Sequence, residues 1–186
     1  KSSTNNSKAF GTFGHLLTKN NGLIFFATRL QGLAVAPGNP KKIYSILDIA
    51  SRKAKFINRR EGTGTRILFD QMLDVLAVKP EEIEGYNDIS DTQFFTAVQI
   101  ASGKVDVGLC TANVAKENGL DFIPLAKEVY YLAADEKFLE TAKAKKFIQF
   151  LRSYDWAEFK DQLEGYDFTG TCLLYTSPSP RDRSLS

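Results

Sequence analysis

The sequence predicts an α/β protein, and three observations carry that expectation. Short apolar runs alternate with amphipathic stretches along most of the chain, the order expected of strands and helices taken in turn. Gly- and Pro-rich stops, such as PGNP at 37–40 and EGTGT at 61–65, separate them. The 186 residues carry 43% apolar side chains, enough for a packed core.

Each element has a local reason. Residues 33–36 (LAVA) read as a strand stopped at Pro37. Ser45 is placed to cap a short helix over 46–52. Residues 55–58 (KFIN) read as a strand, and a Gly/Thr turn follows. The next helix places Leu68, Phe69, Met72, Leu73 and Leu76 on one face and ends at Lys79-Pro80. Ser90 or Asp91 is positioned to cap a further helix running to 102–103. Residues 105–109 (VDVGL) and 120–125 form strands, with 129–133 as a continuation of the latter. Two helices close the fold. The first buries Ala144, Phe147, Ile148 and Leu151; the second spans about 155–163.

Composition excludes several functions. Net charge is +2 from 24 basic and 22 acidic side chains, which lacks the dominant basic face of a nucleic-acid-coating protein. The apolar stretches at 22–27 and 32–36 are far too short to cross a bilayer. With one His and two Cys there is no recognisable zinc motif or disulfide framework. No nucleophile and base arrive in an arrangement that supports catalysis, so no catalytic residue, metal ligand or cofactor is expected.

The most informative segment is NRREGTGTR at 58–66, between a predicted strand and a helix. The first turn of a helix has N–H groups without internal acceptors, and its dipole favours an anion there. Gly64 lets the backbone come close, Thr63 and Thr65 offer hydroxyls, and Arg59, Arg60 and Arg66 offer forked cationic donors. A P-loop is ruled out because the Lys is missing. A dinucleotide fingerprint is ruled out because Ile67 stands where its third Gly belongs. A plain strand-to-helix turn with solvated arginines explains the segment equally well. Thr92 lies at a second helix start, where an ordinary N-cap is the simpler reading, and Tyr130 can donate a hydroxyl or simply pack.

A set of motifs in order resembles the molybdate-binding, periplasmic-binding-protein-like domain family. They are QGLAVAPGNP at 31–40, DIA at 48–50, FINRREGTGTR at 56–66, LFD at 68–70 and GY at 85–86. ASGKVDVGL at 101–109, GLDFIPL at 119–125, EVY at 128–130 and GYD at 165–167 complete the series. The resemblance spans about 13–171. It implies a two-lobed periplasmic-binding-protein-like fold of type II, with residues 1–42 and 120–171 as lobe one and 43–119 as lobe two. The crossings are expected near Ala34 and Phe122. The family domain begins upstream of Lys1, so lobe one is expected to be incomplete. Residues 172–186 resemble a translated sequencing adapter and are expected to be a non-native, disordered tail. Two departures stand out: the family usually has Thr-His where this chain has Thr92 and Gln93, and Gly where it has Cys110.

The resemblance implies binding of a small tetrahedral oxyanion, molybdate or tungstate, in a cleft between lobes, without catalysis. Arg59, Thr63, Gly64, Thr65 and Arg66 are the expected ligand residues, with Thr92 and Tyr130 as weaker candidates. Resemblance to tungstate binders puts Arg59 first among the arginines. Phosphate or another oxyanion is the alternative ligand. Expected partners are an ABC transporter permease or a fused helix-turn-helix DNA-binding domain, with no direct nucleic-acid contact by this segment. Location follows the partner: periplasmic or extracytoplasmic if exported, cytoplasmic if fused to a DNA-binding domain.

Overall fold

The computed structural model describes residues 21–159, 162–172 and 174–175. The elements in chain order are β1 (Asn21–Val35), α1 (Ile46–Ser51), β2 (Phe56–Arg59), α2 (Gly64–Leu76) and β3 (Ile89–Ser90). Then come α3 (Gln93–Ala101), β4 (Val107–Thr111), α4 (Ala112–Glu117), β5 (Asp121–Asp135), α5 (Glu136–Glu140) and α6 (Ala142–Ser153). The short strands β6 (Tyr166–Asp167) and β7 (Leu174–Tyr175) close the list. The sheet order is β3-β2-β4-β1-β5, with β6 and β7 pairing on β1.

The chain divides into two compact units. One comprises Lys1–Thr28, Val129–Glu158 and Asp167–Ser186; the other comprises Arg29–Glu128 and Phe159–Tyr166. The chain therefore passes from one unit to the other within β1, after Thr28, and within β5, after Glu128. The positions expected for those crossings, Ala34 and Phe122, both lie inside the second unit.

The second unit is a mixed sheet. β2 runs parallel to β3 and to β4, with Phe56 opposite Val107 and Ile57 opposite Gly108. β4 runs antiparallel to β1, with Gln31 opposite Thr111 and Leu33 opposite Leu109. Every residue of β2 and β4 is buried. Both strands are covered on both faces, and the polar Asn58, Arg59 and Thr111 are buried at their carboxyl ends. One core cluster gathers Leu33, Ile43, Ile49, Phe56, Phe69 and Leu109, and Phe56 stacks on Phe69 at 4.5 Å between ring centroids. A second gathers Ala34, Ile57, Ala97, Ile100 and Cys110.

Capping is local and legible. Ser45, Thr63 and Thr92 each accept a hydrogen bond from the backbone N–H three residues on. The cap of α3 is thus Thr92, one or two residues later than Ser90 or Asp91, because Ser90 is consumed as the end of β3. α2 ends on Ala77 in the left-handed conformation, with Val78 N–H donating to the Leu73 carbonyl.

The first unit has its own core, where Ile24, Leu151 and Cys172 are buried and Phe26, Leu132, Ile148 and Trp156 pack against them. Trp156 stacks on Phe168 at 4.8 Å and donates its indole N–H to the Leu151 carbonyl at 2.9 Å. Two expectations fail here. Phe147 is 48% exposed although it was placed on the buried stripe of α6. The helix expected over 155–163 is only a short 3-10 turn, Trp156–Phe159, within the described residues.

Most of the segment expected to be a tail lies outside the described residues, as does His15. Its first described residues are integrated. Cys172 is buried, its N–H donates to the Phe25 carbonyl at 2.7 Å, and Leu174 and Tyr175 pair with Ile24 and Leu23 of β1.

Gly85 supplies a direct test of this packing. It has φ +84°, and a Cβ there would lie 2.0 Å from the Phe56 carbonyl oxygen, whereas at Gly103, φ +71°, a Cβ would meet nothing. Both sites disfavour an L side chain, but only Gly85 also forbids the space. Gly85→Ala should therefore lower unfolding free energy by at least about 2 kcal/mol more than Gly103→Ala in parallel denaturant titrations. Equal losses would show that the backbone near Phe56 yields freely.

Candidate functional site

The expected site residues other than Tyr130 lie in the second unit. β2 ends at Arg59, and the turn that follows opens α2, whose cap is Thr63. β3 ends at Ser90, and Thr92 caps α3. Two helix starts therefore follow two neighbouring parallel strands, the arrangement that puts binding crevices at carboxyl ends of strands in open sheets. The N–H groups of Gly64 and Thr65 in α2, and of Gln93 and Phe94 in α3, have no acceptor among the described residues. A Cβ at Gly62 or Gly64 would meet nothing within 4 Å, so the backbone there is uncovered.

The three arginines have separate fates. Arg66 is 7% exposed, and its Nε is held by both oxygens of Asp70 at 2.9 and 2.8 Å. Its guanidinium lies over the Tyr86 ring at 4.4 Å, and Tyr86 donates its hydroxyl to Asp70 at 2.9 Å. Burial alone works against the Arg66 charge; Asp70 and Tyr86 more than offset it and hold the group above its usual value. Its charge is already neutralised, and its NH1 donates to the Arg59 carbonyl. Arg60 is solvent-exposed and pairs with the equally exposed Asp91.

Arg59 differs from both. It is 8% exposed, and its Nε and NH2 donate to the carbonyls of Ser90 and Asp91 at 3.0 and 2.9 Å. Among the described residues no carboxylate lies within salt-bridge distance of it. Burial pulls its pKa below the ordinary arginine range, and the more distant Asp91 opposes that pull. A buried cation held only by carbonyl dipoles is incompletely compensated.

The hydroxyls at the turn have partners within the protein. Thr63 donates its hydroxyl to the Arg60 carbonyl at 2.8 Å, and Ser90 donates its own to the Thr92 carbonyl at 2.7 Å. Thr65 is 4% exposed and its Oγ1 accepts from Gln93 Nε2 at 3.1 Å. With the Gln31 amide oriented so that both its ends are satisfied, its oxygen accepts from Thr65 Oγ1 and Gln93 Nε2, each at 3.1 Å, and its nitrogen donates to the Cys110 carbonyl at 3.0 Å. Tyr130 lies on the part of β5 that belongs to the first unit, 36% exposed. Gln31, Gln93, Thr111 and Asp70 bond directly to the expected site residues Thr65 and Arg66 or to one another, and residue-type reasoning did not single them out. Gln31 is wholly buried, which its neighbours Arg29, Leu30 and Gly32 do not signal in the sequence.

Cys110 is wholly buried, and burial pushes its thiol up to about 12. It is an inert structural group.

The comparisons with known proteins agree with this architecture. Residues 6–152 match the model of the PBP superfamily domain. The chain belongs to the PBP superfamily. A curated relative, the uncharacterized protein YvgK of Bacillus subtilis (strain 168), is 36% identical over 156 residues, which is 83% of this chain and 50% of YvgK. The chain thus spans half the length of that relative. Among solved structures, the substrate-binding domain assigned to a molybdenum ABC transporter of Clostridium difficile superposes with a TM-score of 0.56 at 16% identity, covering 78% of this chain and 66% of the other. The effector-binding domain of QuiR, solved with shikimate, gives 0.54 at 16% identity, covering 71% and 64%. At such identities the likeness concerns the fold.

Two outcomes test the site's electrostatics. Asp70→Asn removes the counter-charge of Arg66 and should cost about 1–3 kcal/mol of stability in denaturant unfolding, the scale of a charge-assisted hydrogen bond. No loss would mean that Tyr86 and the Arg59 carbonyl suffice. At about pH 8, a thiol reagent should label Cys110 only as fast as the second unit opens, because almost none of it is thiolate. Rapid labelling of folded protein would contradict its burial.

Proposed function

We propose that the second unit binds a small tetrahedral oxyanion of the molybdate or tungstate kind, as a solute-binding or ligand-sensing domain that catalyses no reaction. The observation that carries this reading is Arg59. It is a buried guanidinium without a carboxylate in salt-bridge range among the described residues, held between the end of β2 and the approach to α3. A dianion beside it and the open N–H groups of α2 would gain several charge-assisted hydrogen bonds, each worth about 1.5–3 kcal/mol. It would also supply the compensation that Arg59 lacks.

Membership of the superfamily and the likeness to a domain assigned to a molybdenum transporter support the ligand class. They also support an ABC transporter permease as partner. The likeness to an effector-binding domain favours a second reading, in which binding regulates an attached helix-turn-helix module. Phosphate is the alternative ligand, because the same helix starts and guanidinium serve any tetrahedral oxyanion.

Calorimetric titration of the full-length protein with molybdate, tungstate, sulfate and phosphate tests the reading. One site is expected. Arg59→Ala should weaken it at least about tenfold, equivalent to 1.4 kcal/mol. Arg60→Ala, which removes only a solvated ion pair, should change affinity by about twofold or less. A folded Arg59→Ala variant that binds like the parent would move the site elsewhere.

A further inference from the structure

Gln93 is the first residue of α3, and its side chain turns back from the helix start. Its Oε1 accepts from both the N–H and the hydroxyl of Thr111, each at 3.1 Å. Its Nε2 donates to Thr65 Oγ1 at 3.1 Å and, in the satisfied orientation of Gln31, to Gln31 Oε1 at 3.1 Å. Gln31 is 0% exposed, Thr111 2% and Thr65 4%. One amide group therefore ties together β1, α2, α3 and β4.

We propose that Gln93 is the positioning residue of the anion site, an inference that rests on the oxyanion reading above. Both acceptor positions and both N–H donors of its amide are used within the protein, so it has none left for a ligand. Its role is to set the separation of the two helix starts. The amide joins Thr65, in the first turn of α2, to the first residue of α3 and to Thr111 of β4. An anion that bridges the two helix starts requires a fixed gap. The network also commits the Thr65 hydroxyl to Gln31, so Thr65 contributes its backbone N–H and not its hydroxyl to the ligand.

The chemistry demands an amide. Methionine matches the length of glutamine but offers no amide, leaving the Thr111 N–H without its side-chain acceptor and Thr65 Oγ1 without the donor it has from Gln93. Glutamate can still accept from Thr111 but has no N–H to give Thr65 and Gln31. The two substitutions therefore separate the β4 link from the α2 link.

Full-length parent, Gln93→Met and Gln93→Glu are compared by titration with sulfate and with molybdate, by thermal unfolding, and by amide hydrogen exchange at Thr111. Gln93→Met should weaken the tighter-binding probe at least about tenfold while the midpoint of unfolding falls by only a few degrees, and Thr111 should exchange faster. Gln93→Glu should keep Thr111 protected and still lose affinity. A simple loss of structure would lower the midpoint and expose Thr111 in both variants together, and that pattern would overturn the proposal. So would a Gln93→Met variant that binds like the parent, which leaves the oxyanion reading standing. A parent that binds neither probe overturns the oxyanion reading, and this inference with it.

Discussion

The second unit depends on the parallel pairing of β2 with β4. Parallel neighbours cannot be joined by a hairpin, so the chain must leave the sheet and return through a helix. That return places α2 and α3 on the sheet faces and starts both where a strand has just ended. The pairing is close: a Cβ at Gly108 would lie 2.5 Å from Thr96 Cγ2 of α3 and 3.0 Å from Ile57 Cγ2 of β2. Glycine at this position lets α3 seat against the pair. The placement of the two helix starts follows from that seating, and so does the reach of Gln93 to Thr65 and Thr111.

Charge allocation is the second constraint. Three arginines within one turn would repel one another if all faced inward. Arg60 is kept in solvent against Asp91, and Arg66 is neutralised by Asp70 beneath Tyr86. Only Arg59 remains buried with carbonyl partners alone. The Arg66–Asp70–Tyr86 cluster also anchors the first turn of α2, because Arg66 NH1 reaches the Arg59 carbonyl at 3.3 Å. One arginine thus serves the backbone of another.

Much of this was legible in the sequence. The short runs at 55–58 and 105–109, bounded by turn residues, marked β2 and β4, the periodicity marked α2, and the Ser and Thr caps marked helix starts, because each signal is local. The exchange of partners was not. Nothing in the spacing of Arg59, Arg60 and Arg66 distinguishes them; Asp70 lies one helical turn beyond Arg66, a pairing that is visible only once the helix is drawn. The residue types of Thr63 and Thr65 suggest ligand donors; Thr63 bonds locally to the Arg60 carbonyl three residues back, and the partner of Thr65, Gln31, is set by tertiary contact. Phe147 was assigned to the core from periodicity, but α6 buries a narrow stripe of Ala144 and Leu151 and leaves Phe147 and Phe150 outside. The strand expected at 120–125 with 129–133 as its continuation is one strand, Asp121–Asp135, which runs on through the polar Lys127 and Glu128. There Glu128 pairs with Arg29 at 2.7 Å.

The engagement of three hydroxyls near the helix starts bears on how such a site can bind tightly. A hydroxyl free to rotate must be fixed when a ligand arrives, and that ordering opposes binding. Here Thr63, Thr65 and Ser90 are each engaged with a carbonyl or amide oxygen of the protein. The other donors there include backbone N–H groups and the remaining N–H groups of Arg59. The former are rigid because they belong to helices, and the latter because two carbonyls hold the guanidinium. Electrostatic stabilisation by fixed dipoles requires little reorganisation when charge arrives, which is the condition under which a helix start is most effective toward an anion. The same argument explains why neutral Gln31 and Gln93 are suited to the interior of the site. An amide pair can hold two helices in register without adding a charge that would have to be balanced before the ligand enters.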